Sequence, residues 1–191
     1  MRFIGSRMQM KPLAFVLGAA AAVLLAVLSF VLWGDSGVHV DTGPLGGGPV
    51  NGLECGPGRT VFDATDALQN TTDSPIRIEK FMLVDPRGVK LIGVDLVPIG
   101  QVPLIGFGFG WPPDDVRKAT WARRRTLPMT IPPSRDTRWN LVFGLERTAK
   151  TGTLTDDEVL YEYQGAQYLW TSDTAVRVVS TASCPSNLRV P

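Results

Sequence analysis

Apolar residues run without a charge from Leu13 to Trp33, and from Arg59 onward they recur in short stretches interrupted by polar residues. The first stretch, LAFVLGAAAAVLLAVLSFVLW, fills 21 positions. At 1.5 Å per residue such a helix is about 31 Å long, the thickness of a bilayer's hydrocarbon core. This predicts a transmembrane helix over 13–33, preceded by a short tail, 1–12. A cleavable signal peptide has a shorter apolar run ending in small residues. Here the run closes on Phe30, Val31, Leu32 and Trp33, so a retained signal anchor is expected, with Trp33 at the interface. Arg2, Arg7 and Lys11 precede the span while Asp35 and Asp41 follow it. The positive-inside rule then puts the N-terminus in the cytoplasm and everything after residue 33 outside.

The later stretches have the spacing of strands. Candidates are 59–68, 76–85, 89–99, 103–109, 124–131, 139–145, 159–163, 167–171 and 175–180, with no convincing amphipathic helix among them. The sharpest is Trp139, Leu141, Phe143 and Leu145, four large apolar residues at period two. One face of that strand must be core. Ile76 and Ile78 give way to Phe81 and Leu83, a one-residue change of phase at Glu79 and Lys80 that an inserted bulge produces. Asp85-Pro86-Arg87-Gly88 and Gln164-Gly165 supply turn chemistry, and both are expected to close hairpins.

Composition divides the chain further. Between Gly34 and Leu53 lie seven Gly and two Pro, too little apolar surface to offset the entropy of ordering. The segment 34–53 is therefore expected as a flexible linker and 54–191 as the folded domain, with His39, the only histidine, in the linker. Cys55 and Cys184 are the only cysteines. In an oxidising compartment beyond the membrane they are expected to pair, tying the domain's first segment to its last. Arg outnumbers Lys 14 to 5, a composition that suggests a GC-rich bacterial gene.

An all-β chain of nine short runs on a single-pass anchor resembles an immunoglobulin-like antiparallel β-sandwich ectodomain. The two cysteines sit at the domain's ends rather than in mid-domain strands flanking a Trp, which departs from the antibody pattern. Two further resemblances concern catalysis. Asp41-Thr42-Gly43 resembles the catalytic turn of retroviral-type aspartic proteases, although Pro44 and the flanking glycines give it no rigid support. Thr181-Ala182-Ser183-Cys184 with Arg189 resembles the sortase transpeptidases, but their barrel histidine has no counterpart beyond His39. A thiol without a fixed basic neighbour is a poor nucleophile. No catalytic residue is therefore expected. No nucleotide-loop, Cys-x-x-Cys or His-Glu-x-x-His pattern occurs, and no metal or cofactor is expected. Asn70-Thr71-Thr72 is formally a glycosylation sequon.

Net charge is +1, which lacks the basic excess of a nucleic-acid binder. The distribution is less even. Arg117, Lys118, Arg123, Arg124, Arg125, Arg135 and Arg138 face only Asp136 within their own segment. Just upstream, Phe107, Phe109 and Trp111 alternate with Gly106, Gly108 and Gly110. Arg117, Lys118, Arg123, Arg124, Arg125 and Trp111 form the candidate binding surface, with Asp156, Asp157, Glu158 and Glu162 as candidate counter-charges. The function expected is non-catalytic: a binding or accessory module held in the lipid bilayer by residues 13–33 and meeting a protein or anionic cell-envelope partner. The alternatives are a cell-envelope enzyme of either resembled class and a structural spacer.

Overall fold

The computed structural model describes residues 38–40, 43–47, 52–100, 104–113, 118–172 and 174–180. Contacts divide the chain into Met1–Gly37 and Val38–Pro191, and all described residues belong to the second unit. The expected tail and span, 1–33, lie outside the described residues. Among the described residues no helix is long and apolar enough to cross a membrane.

The protein is predominantly β. In chain order the strands are β1 (His39–Val40), β2 (Leu45–Gly46), β3 (Gly52–Pro57), β4 (Thr60–Asn70), β5 (Ile76–Val84), β6 (Val89–Pro98) and β7 (Gly108–Phe109). A one-turn helix α1 (Lys118–Trp121) intervenes before β8 (Arg125–Thr126), β9 (Met129–Ile131), β10 (Trp139–Arg147), β11 (Thr151–Leu154), β12 (Asp156–Tyr163), β13 (Ala166–Thr171) and β14 (Thr174–Val179). They form a five-stranded sheet, β1-β13-β12-β5-β9, a six-stranded path, β2-β4-β10-β6-β8, with β7 added on β4, and a three-stranded sheet, β11-β14-β3. Pairing is antiparallel except for β1 on β13 and β3 on β14.

The first two sheets share one core. Ile76, Ile78 and Phe81 on β5 and Val159 and Tyr161 on β12 cluster with Val61 and Leu68 on β4, Leu96 on β6, and Leu141, Phe143 and Leu145 on β10. The Phe81 and Phe143 rings meet directly, 4.8 Å between centroids. Each large apolar side chain withdrawn from water here contributes about 1.5–3 kcal/mol. The period-two face of β10 is the core face, as expected. Its other face is buried as well: Asn140, Val142 and Gly144 lie under a second cluster of Phe62, Ala64, Val97 and Ile99, with Leu104, Ile105, Trp111 and Trp121 packed against it. The central strand is thus covered on both sides.

Asn140 makes that second burial tolerable. Its Nδ2 donates to the Asp66 carbonyl at 2.7 Å and the Ala64 carbonyl at 2.9 Å, and its Oδ1 accepts from the Ile105 N–H at 2.8 Å. These carbonyls belong to a bulge in β4, where Leu141 pairs with Asp66 but Phe143 pairs with Asp63. One amide therefore bonds both bulge carbonyls and, together with the Gly106 N–H on the Ala64 carbonyl at 3.0 Å, fixes the covering segment.

Several expectations change on contact with the register. The bulge at Glu79 is present: Leu160 pairs with Lys80 and Tyr161 with Ile78, which skips Glu79. Gln164-Gly165 closes a two-residue hairpin between β12 and β13, with both residues at positive φ as a type I′ turn requires. Asp85–Gly88 does not close a hairpin, because β5 pairs with β12 and β9 whereas β6 pairs with β10 and β8. The turn passes between sheets instead, pinned by an Arg87–Thr153 bridge. The run 124–131 is not one strand: β8 and β9 belong to different sheets, and Pro128, which has no N–H to donate, stands between them. Of the run 103–109, the described residues 104–109 are strand only at Gly108–Phe109. Within 34–53 the described residues include β1, β2 and the start of β3. Tyr161 Oη accepts the Leu45 N–H at 3.4 Å, and His39, Tyr168 and Tyr161 stack in series at 5.0 and 5.3 Å. Local composition does not register such long-range pairing. Cys55 on β3 is half-buried and disulfide-bonded; Cys184 lies outside the described residues.

Candidate functional site

The candidate surface is built on α1 and β8. Lys118 opens the helix, Arg123 and Arg124 follow its end, and Arg125 begins the strand; all four are exposed. Arg117 lies outside the described residues. Helix and strand are held against the six-stranded sheet by Trp121, half-buried in the second cluster, and by β8 pairing with Asp95 and Leu96 of β6. The Arg124 guanidinium sits 5.0 Å from the Trp121 ring centroid, within cation–π range, and donates through Nη1 to the Trp121 carbonyl. Its Nε lies 3.6 Å from Asp95 Oδ2. Burial raises the Asp95 pKa above the ordinary aspartate value, while Arg124 opposes that rise.

Arg125 Nη1 donates to the carbonyls of Arg123 and Arg124, which folds the segment back on itself. Four exposed positive side chains thus lie within the eight residues 118–125, and Asp95 is their one ion-pair partner among the described residues. The acids Asp156, Asp157, Glu158 and Glu162 make no ion pair with this group. Asp157 is not even on the surface. It is fully buried, with Oδ1 accepting from the Ser172 hydroxyl at 2.7 Å. Its pKa is raised well above the usual value, first by desolvation and then by the nearby Asp66 charge. That correction follows from the β12 register, which turns Asp157 inward opposite Leu83.

No protein family and no curated protein matches this chain. The reading rests on its own geometry.

The aromatic segment divides its residues. Phe107 is half-buried against the main core and Phe109 is 53% exposed, their rings meeting edge to face at 6.4 Å. Trp111 lies flat over Gly93 and Gly144, which are direct cross-strand partners on β6 and β10. A Cβ on Gly93 would come within 2.7 Å of Trp111 Cε2, and one on Gly144 within 2.9 Å of Cγ. Both glycines are thus a floor for the indole. Trp111 also meets Trp121 edge to face at 5.8 Å. It supports the basic surface from below rather than standing at its front. Trp121 and Asp95 were not among the candidate residues. Trp121 is three residues before Arg124, a spacing that signals a helical pair, whereas the Asp95 contact depends on β8 pairing with β6.

The catalytic resemblances gain no geometry. Asp41, Thr42, Cys184 and Arg189 lie outside the described residues, and His39 is exposed and stacked on Tyr168. Among the described residues no group of three or more His, Cys, Asp and Glu is placed to hold a metal ion. Asn70 is fully buried, with Nδ2 donating to the Ser74 and Ile131 carbonyls. The sequon's acceptor nitrogen is therefore inaccessible in the folded chain.

Proposed function

We propose that this protein is a non-catalytic binding module, anchored by a helix over 13–33 with its N-terminus in the cytoplasm. Its extracytoplasmic domain is an immunoglobulin-like β-sandwich closed by a Cys55–Cys184 disulfide, and its partner is a protein with an acidic docking face in the cell envelope. The observation that carries this reading is the display of Lys118, Arg123, Arg124 and Arg125 on a segment braced by Trp111 and Trp121. A rigid cationic surface beside aromatic residues suits an acidic partner, since charge complementarity raises the rate of encounter and fixes register. The fold reading is supported by the shared core of two mainly antiparallel sheets.

The test is cross-linking in intact membranes followed by identification of neighbours. Arg123→Glu with Arg125→Glu avoids Arg124, which is tied to Trp121 and Asp95. The double variant is expected to fold and to lose the cross-linked neighbour. Unchanged cross-linking by a folded variant overturns the binding surface.

A further inference from the structure

A second concentration of positive charge lies at the other end of β6. Glu146 on β10 pairs with Lys90 on β6 on one side and with Thr60 on β4 on the other, which places Arg59 beside it. Arg59 donates through Nε at 3.1 Å and Nη2 at 2.9 Å to Glu146 Oε1, and Lys90 Nζ stands 2.7 Å from Oε2. These contacts hold the Glu146 pKa below the ordinary glutamate value. The Arg147 guanidinium donates to the carbonyls of Gly58, Ala149 and Lys150, so its charge is fixed in place without a carboxylate. Together with Thr148 and Lys150 these residues line an open cleft of about 570 Å³. Four cations face one carboxylate there, a surplus of three positive charges.

The arrangement differs from scattered surface lysines. Glu146 uses both oxygens to hold two cationic heads side by side, and it is the least exposed member of that trio, its side chain 18% exposed. The side chains of Arg59 and Lys90 remain 81% and 60% exposed, so most of each head faces the cleft and solvent. Cations fixed before a ligand arrives lose little entropy on binding it. A phosphoryl group carries about −1.5 to −2 charge, so one such group leaves part of the surplus unmet and two match it. Arg and Lys together are also the side chains that hold phosphate oxygens best.

We infer that this cleft binds a diphosphate-bearing anion, through Arg59, Lys90, Arg147 and Lys150, at a site separate from the α1–β8 surface. Lys90 and Asp95 are five residues apart on β6, or about 17 Å along the strand, so the two sites do not share side chains. The diphosphate belongs either to a soluble molecule or to a lipid headgroup.

The experiment is a calorimetric titration of the full chain in zwitterionic detergent with inorganic diphosphate, repeated in micelles doped with a lipid diphosphate. Saturable binding that weakens with added salt is expected. Lys90→Ala with Lys150→Ala is expected to weaken it at least about tenfold, and Lys150→Ala alone, at an exposed position, gives a smaller loss in a protein that still folds. Arg123→Glu with Arg125→Glu is expected to leave it within about twofold, which separates failure here from failure of the partner-binding surface. Weaker apparent binding in the doped micelles identifies the headgroup as the source; unchanged binding identifies a soluble ligand. No saturable binding, or binding that both lysine variants leave intact, overturns the inference.

Discussion

Gly144 bears the clearest steric constraint on the basic surface. An alanine Cβ there would lie within 2.9 Å of Trp111 Cγ, where an ordinary contact needs about 3.5–4 Å. The indole must therefore move away from the sheet, and Trp121, packed against its edge, loses its support. Overpacking of this kind costs about 1–3 kcal/mol. At roughly 2–4 °C per kcal/mol for a domain of this size, Gly144→Ala should lower the midpoint of thermal unfolding by about 2–12 °C. In a Trp111→Ala background the obstacle is gone. There the same substitution should be neutral or stabilising by about 0.5–1 kcal/mol, because alanine loses less backbone entropy in a strand than glycine. A double-mutant cycle followed by circular dichroism reads this change of sign directly. If Gly144→Ala costs the same in both backgrounds, the indole is not what the glycine accommodates, and the described bracing of the surface is wrong.

Other outcomes follow from single residues. Asn140→Ala should cost about 2–4 kcal/mol in denaturant unfolding, since it takes this partner from the buried Asp66 carbonyl and the Ile105 N–H and leaves the Ala64 carbonyl with the Gly106 N–H alone. Asp157 has a raised pKa in the folded state, so its unfavourable contribution is absent below the unfolded value near 3.8 and grows as pH rises through the folded pKa. Stability should accordingly fall with rising pH across that interval, and Asp157→Asn should flatten the slope; an unchanged slope assigns the dependence to another group. Gln164→Asn should stabilise the β12–β13 hairpin by about 0.5–1 kcal/mol, because asparagine tolerates the positive φ found there better than glutamine. Digestion without reductant should recover Cys55 and Cys184 in one linked peptide, and a linkage between two chains would defeat the proposed closure.

How much was legible depended on the range of the interaction. The period of Trp139 to Leu145 located β10, and the change of phase after Ile78 located the bulge, because each is encoded within one strand. The burial of the opposite face was not readable. Asn140 looks like a solvent-facing residue until the β4 bulge supplies two carbonyls and the segment at Ile105 an N–H. Gly93 and Gly144 are 51 positions apart in sequence and become one floor only when β6 and β10 pair. The exposure of Lys118, Arg123, Arg124 and Arg125 on one short segment was legible because the four are nearly contiguous. The Arg59, Lys90, Glu146 and Lys150 cleft was not, since its members come together through the registers of three strands. Asp85-Pro86-Arg87-Gly88 has turn chemistry in either setting, and only the partners of β5 and β6 decide whether it joins neighbours or changes layers.

The pairing of β3 with β14 has a consequence for biogenesis. Gly52 aligns with Thr174 in parallel, so an early strand must wait for about 120 further residues before its neighbour exists. Such separations slow folding because the intervening chain has to be closed into a loop first. During synthesis the growing polypeptide would hold β3 with an open margin until Thr174–Val179 emerge. A protein made this way benefits from a chaperone that covers the waiting strand in that interval, and the β11-β14-β3 sheet is complete only when β14 arrives.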